Sequence, residues 1–178
     1  MSTTTHTQDE IIRANDLFLK ASQLIKDNIK VGEAVFILES ILHDLPNFGK
    51  AYNHLGWIYK NKYQNNEKAV EYFEKCIELQ PDFPPVYYNY ASLLSQTGNF
   101  DRLEQILTQA ISVHGIDKCI IFNEFGILHE LRENYAEAEI FYIQSMKLAL
   151  DNKLVDNRLS AVERCRKKAA FMRASKGN

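Results

Sequence analysis

Ala51-Tyr52-Asn53-His54-Leu55-Gly56-Trp57-Ile58-Tyr59 is the stretch that decides the fold of this 178-residue chain. Ala51, Tyr52, Leu55, Ile58 and Tyr59 recur at helical spacing and stripe one face, so the segment reads as an amphipathic helix. Tyr63-Gln64-Asn65-Asn66 breaks the pattern, and a second helix resumes with Ala69, Val70, Tyr72, Phe73, Cys76, Ile77 and Leu79. Pro81 closes it, because proline cannot extend the hydrogen-bond ladder. Working outward, the unit recurs. Pro46 and Pro81 stand 35 residues apart, each with a Phe two positions on (Phe48, Phe83). Ala34, Ala69, Leu103 and Ala138 step by 35, 34 and 35. Self-similarity at this period marks an array of helical repeats, which acts through an extended surface rather than a catalytic pocket.

Packing explains the pattern. Two helices joined by a short turn approach to about 8–10 Å, so their crossing point takes small side chains. Gly56, Ala91 and Gly126 supply them on the first helices, and Ala34, Ala69 and Ala138 on the second. Tyr52, Phe73, Tyr87, Phe122 and Tyr142 are large enough to fill the space between units.

In these positions the chain resembles the tetratricopeptide repeat (TPR) family. The second unit carries Tyr52, Leu55, Gly56, Tyr59, Ala69, Phe73, Cys76 and Pro81 in that family's pattern, with one extra residue in the turn. The third reads Tyr87, Tyr90, Ala91, Leu94, a Gly98-Asn99-Phe100 turn, then Leu103, Leu107, Ala110 and Gly115. The fourth reads Phe122, Phe125, Gly126, His129, Tyr135, Ala138, Tyr142 and Ser145. A degenerate first unit reads Phe18, Ala21, Ser22, Ile25, Ala34, Leu38, Ile41 and Pro46. Leu103, Leu107 and Leu150 depart from the pattern, and looser packing is expected in the third unit. The resemblance implies an all-α fold, a right-handed α-solenoid of antiparallel helix pairs. Its expected limits are a disordered N-terminus (1–8), an array over 9–150 with units at about 15–48, 49–83, 84–118 and 119–150, an amphipathic basic capping helix (151–173) and a disordered tail (174–178).

Composition narrows the function. Net charge is −2, so the molecule as a whole is not built to coat nucleic acid. Residues 151–178 hold eight Lys/Arg against three Asp/Glu, a charge of +5 that leaves −7 on the rest. Cys76, Cys119 and Cys165 are odd in number and form no CxxC, which argues against a disulfide framework or structural zinc and for a reducing compartment. Met1–Asp9 has no apolar core of a leader, and no run approaches the ~18 apolar residues of a membrane helix. A cytoplasmic protein is the expectation.

No catalytic constellation emerges, and no cofactor is expected. His129-Glu130 opens like the zinc motif HExxH, but position 133 is Glu instead of His. His129 reads better as an interface residue, and no phosphate-binding glycine loop or GxSxG is present.

The resemblance implies a peptide-binding groove lined by the first helix of each unit. Carried over by register, its positions include Lys20 and Gln23; Lys50, Asn53, His54, Trp57 and Lys60; Tyr88, Asn89 and Ser92; and Asn123, Glu124 and Ile127. Lys20, Lys26, Lys50 and Lys60 bias one half positive and Glu124 and Glu130 the other half negative, an arrangement that would orient a partner with its acidic part toward units one and two. Ordinary solvated charges are the competing reading. Trp57 reads as a binding anchor or as packing between adjacent first helices. The carboxylate clamp of chaperone-binding TPR adaptors is not matched. Its positions fall on Asn53, Trp57, Asn89, Ile120 and Glu124, or one unit earlier on Leu19, Gln23, His54, Pro85 and Asn89, so EEVD-type tails are disfavoured. Arg164-Cys165-Arg166-Lys167-Lys168 invites an anionic partner, yet lacks interleaved aromatics, and nucleic acid and membrane are disfavoured as well. The expected function is a non-catalytic module or adaptor binding an extended or helical segment of another protein. A small secretion-type TPR chaperone and a self-assembling scaffold are the alternatives.

Overall fold

A computed structural model describes residues 7–28 and 30–176, all helices and turns. The helices are α1 (Gln8–Asp27), α2 (Val31–Asp44), α3 (Gly49–Asn61), α4 (Asn66–Leu79), α5 (Pro84–Thr97), α6 (Phe100–Ala110), α7 (Lys118–Leu131), α8 (Tyr135–Leu148) and α9 (Asn152–Lys176). Of the expected disordered ends, 1–8 and 174–178, residues 1–6 and 177–178 fall outside the described residues. Where described, Thr7 caps α1 and α9 continues to Lys176. The chain divides into two compact units, 1–89 and 90–178, with the division inside α5.

Polar side chains start the helices. The Thr7 hydroxyl accepts from the Glu10 amide while the Glu10 carboxylate accepts from the Thr7 amide, a reciprocal cap that satisfies two otherwise orphaned donors. Asn65 and Asn99 accept from the amides of Lys68 and Arg102 at the starts of α4 and α6. The turns also repeat a backbone feature. Gln64, Gly98 and Glu133 all hold positive φ, at 53°, 73° and 62°, one per period.

In unit 1, α1 packs on α2, α2 on α3, and α3 on α4. Ala21, Ala34, Leu38, Ala51, Leu55, Ile58, Ala69 and Phe73 are fully buried there. The proline series gains a physical role: Tyr52 donates its hydroxyl to the Pro46 carbonyl (3.1 Å) and Tyr87 to that of Pro81 (2.6 Å). A proline cannot donate, but its carbonyl still ties the helix end to the start of the next helix.

In unit 2, α7 packs on α8 and α8 on α9. Leu103 and Leu107, which depart from the repeat pattern, are completely buried. Leu150, in contrast, is wholly exposed. Ser145 ties three helices together. Its hydroxyl donates to the Cys119 carbonyl (2.7 Å) and accepts from Arg158 Nε (2.9 Å), while the Cys119 thiol donates to the Ser145 carbonyl (3.4 Å).

Candidate functional site

Unit 1 gathers four of the predicted groove residues. Asn53, His54 and Trp57 of α3 line a cleft of about 280 Å3 together with Ile25 of α1 and Pro85 and Asn89 of α5. Helical spacing brings them there: 53 and 57 are one turn apart, as are 85 and 89. Asn89 Nδ2 donates to Asn53 Oδ1 at 2.9 Å. Asn53 is only 3 % exposed, so its role includes satisfying a buried amide as well as lining the cleft. Trp57 is half-buried and packs against the core. Lys62 Nζ sits 5.5 Å from its ring centroid.

His54 forms one wall. The Ser22 hydroxyl lies 2.8 Å from the Phe18 carbonyl and shares a hydrogen bond with His54 Nε2 at 3.1 Å. Which of the two groups donates in that contact is set by the ring tautomer. The ring meets Phe18 edge-on at 4.5 Å. Burial lowers the His54 pKa from 6.5, since the charged ring would lose its hydration.

The remaining unit 1 candidates lie apart from this cleft. Lys20 is exposed and pairs with Glu33 at 3.1 Å. Gln23 bonds the Asp27 carboxylate. Lys50, Lys60 and Tyr88 are half-buried.

In unit 2, Ser92 accepts a long bond from Gln96, and Asn123 Nδ2 donates to Glu124 at 3.2 Å. Ile127 lines a second cleft, of about 240 Å3, with Glu130 and Leu131 of α7, Tyr142 of α8, and Arg164 and Lys168 of α9. Here one of the two acids of the expected negative half is paired with cations. Glu130 was expected to make this half negative, but Arg164 binds both its oxygens at 2.7 Å, Lys168 adds a contact at 2.9 Å and the Tyr142 hydroxyl donates at 2.8 Å. The Arg164 guanidinium, with Lys168 and Tyr142, holds the Glu130 carboxyl down at about 2. The carboxylate is 9 % exposed, whereas Arg164 and Lys168 are 50 % and 46 % exposed. The solvent-facing groups are cations.

The basic helix is equally altered in meaning. Arg158 serves Ser145, Arg164 and Lys168 serve Glu130, and Arg166 serves Glu139 at 2.6 Å. Much of the expected loose positive charge therefore docks α9. The opposed acids on α7 and α8 were visible in the sequence, but nothing in it assigned them to cations 27–38 residues away. His129 stacks on Phe141 of α8 at 5.1 Å and an interplanar angle of 9°, as an interface residue would.

Comparison with known proteins decides what kind of framework carries these clefts. Tetratricopeptide repeat descriptions match residues 49–83 and 72–105. The chain carries tetratricopeptide repeats. PilF of Pseudomonas aeruginosa superposes with a TM-score of 0.78, covering 90 % of this chain and 72 % of that one at 14 % identity, so this TPR chain shares its fold. Human protein O-mannosyl-transferase TMTC1 is 23 % identical over 164 residues, 89 % of the TPR chain but 18 % of the human protein. Human tetratricopeptide repeat protein 13 is 28 % identical over 120 residues, 65 % of this chain and 14 % of its own length. The TPR chain thus spans less than a fifth of these curated relatives. No helix among its described residues is long and apolar enough to cross a membrane. A TPR framework is a protein-interaction module.

Proposed function

We propose that the chain is a non-catalytic adaptor that binds an extended or helical segment of a partner protein in the unit 1 cleft. The observation that carries this reading is the Asn53–Asn89 amide pair beside half-buried Trp57. An aromatic surface next to paired amides offers apolar contact together with donors and acceptors for a peptide backbone. His54, held by Ser22, gives the cleft a fixed wall. Lys26 and Lys50 on the same unit favour an acidic stretch in the partner, Lys20 being engaged by Glu33. EEVD-type tails remain disfavoured because the clamp residues are not matched.

A cytoplasmic adaptor is the fitting setting for three unpaired thiols. A transferase reading, suggested by TMTC1, would need a site with positioned acids, bases or metal ligands. Among the described residues no group of three or more His, Cys, Asp or Glu side chains is placed to hold a metal.

The test is the double variant Trp57→Ala/Asn89→Ala. Proteins retained by the immobilised wild-type chain should be lost on the folded double variant, and Trp57 emission should shift when a retained partner is titrated in. Equal retention by a double variant with wild-type helicity would sink the assignment.

A further inference from the structure

The unit 2 cleft calls for a ligand of its own. It is lined by Ile127, Leu131 and Tyr142, with the half-exposed Arg164 and Lys168 paired to the nearly buried Glu130. Two cations against one carboxylate leave +1, and exposure sharpens the imbalance because the cations face water while the carboxylate does not. Glu130, held at about 2, stays ionised across the physiological range and cannot relieve that charge by taking up a proton. Arg164 uses Nε and Nη2 on Glu130. Its guanidinium has further N–H donors for a second acceptor.

We propose that this cleft binds an acidic peptide segment. A partner carboxylate contacts the open sides of Arg164 and Lys168, and a neighbouring aliphatic side chain rests on Ile127 and Leu131. Charge complementarity selects the carboxylate, and the 47 % exposed Leu131 selects the apolar neighbour. A polyanion such as nucleic acid fits worse, because it seeks a run of cations without apolar lining. The site lies wholly within unit 2, so it stands or falls independently of the unit 1 cleft.

Fluorescence anisotropy on the full chain tests the proposal. The probes are a fluorescein-labelled Ser-Glu-Leu-Glu-Leu-Glu-Ser peptide, its counterpart with Gln for every Glu, and a labelled oligo-dT. The acidic peptide should bind at least tenfold more tightly than the Gln peptide and more tightly than oligo-dT. One unit charge at close range in water is worth a few-fold in affinity, so Lys168→Ala should weaken the acidic peptide about fivefold. Glu130→Gln should tighten it about fivefold by removing the internal competitor. Lys153→Ala, at the far end of α9, should leave it unchanged. Equal binding of the acidic and Gln peptides overturns the proposal, as does stronger binding of oligo-dT or weakened binding by a folded Glu130→Gln chain. If Glu130→Gln loses its helicity, Lys168→Glu decides: it changes the cleft by two unit charges and should weaken acidic-peptide binding about 25-fold, and unchanged binding overturns the site.

Discussion

Gly126 lies so close to the ring of Tyr142 that a β-carbon added to it would sit 2.6 Å from two ring carbons. The same relationship joins Gly56 to Phe73 in unit 1, again at 2.6 Å. In each case one helix presents no side chain where its partner lays an aromatic ring flat, and the dense packing leaves no slack. The two rings differ in one respect. The Tyr142 hydroxyl is tied to Glu130, whereas the phenylalanine ring carries no hydroxyl.

Overpacking should therefore cost more at the tethered ring. Gly126→Ala is expected to destabilise by about 2–3 kcal/mol and Gly56→Ala by about 1–2 kcal/mol. Urea unfolding followed by circular dichroism measures both. A smaller loss at position 126 than at 56 would contradict the tether.

The turns offer a backbone comparison. Gly98 holds φ 73° with nothing within 4 Å of its missing β-carbon, so Gly98→Ala isolates conformational strain from steric contact. A loss of about 1 kcal/mol is expected, because only glycine enters the left-handed region without penalty. Glu133→Gly, at the equivalent φ of 62°, should be neutral or mildly stabilising. Thermal melts of the two variants should move in opposite directions or show only Gly98→Ala shifting.

Acid should undo the α9 latch. The Glu130 carboxyl is lowered from its ordinary 4.5 to about 2, so the unfolded chain binds that proton first. The stabilisation is complete above pH 4.5 and is lost as pH falls toward 2. Glu130→Gln should flatten this part of the stability profile, at the expense of lower stability near neutrality. Unfolding free energy measured between pH 3 and 6 for the two chains checks it. Parallel curves would mean that the ion pairs contribute nothing.

His54 predicts a second limb at higher pH. Burial lowers its pKa from 6.5, so the folded state resists the proton that the unfolded chain accepts. Stability from neutral His54 is present above 6.5 and declines as pH drops below it. His54→Gln, which keeps a hydrogen-bonding partner for Ser22, should remove that decline between pH 5 and 7. NMR titration of the His54 ring should give a midpoint below 6.5, and a midpoint above it would refute the buried neutral ring.

The thiols should be silent in the native chain. Cys76 and Cys165 are fully buried and Cys119 nearly so, and burial pushes Cys76 up to about 12 and Cys165 to about 11. A disulfide-exchange reagent at pH 8 should label all three only at the rate of unfolding. Rapid labelling of one thiol in native buffer would reveal an opening of its helix pair.

Sequence and structure divide the problem by the range of the forces involved. Gly56, Gly126, Ala34, Ala69 and Ala138 announced the helix crossings from sequence alone, because steric exclusion acts between positions that a fixed period makes equivalent. That Asn53, His54, Trp57 and Asn89 share one cleft is in line with the register carried over from the family resemblance. The bond between Asn53 and Asn89 was not legible there, since an amide in a sequence carries no sign of its partner 36 residues away.

Charge is where only the tertiary structure could decide. Glu130 reads as a negative groove residue and Arg164 and Lys168 as a basic tail, and each reading is correct for a solvated side chain. Packing α9 on α8 places them 2.7–2.9 Å apart, buries the acid and leaves the cations facing water. Electrostatic sign is written residue by residue, but the field that a partner meets depends on which charges are paired and which stay hydrated. That depends on distance and burial, and both belong to the folded chain.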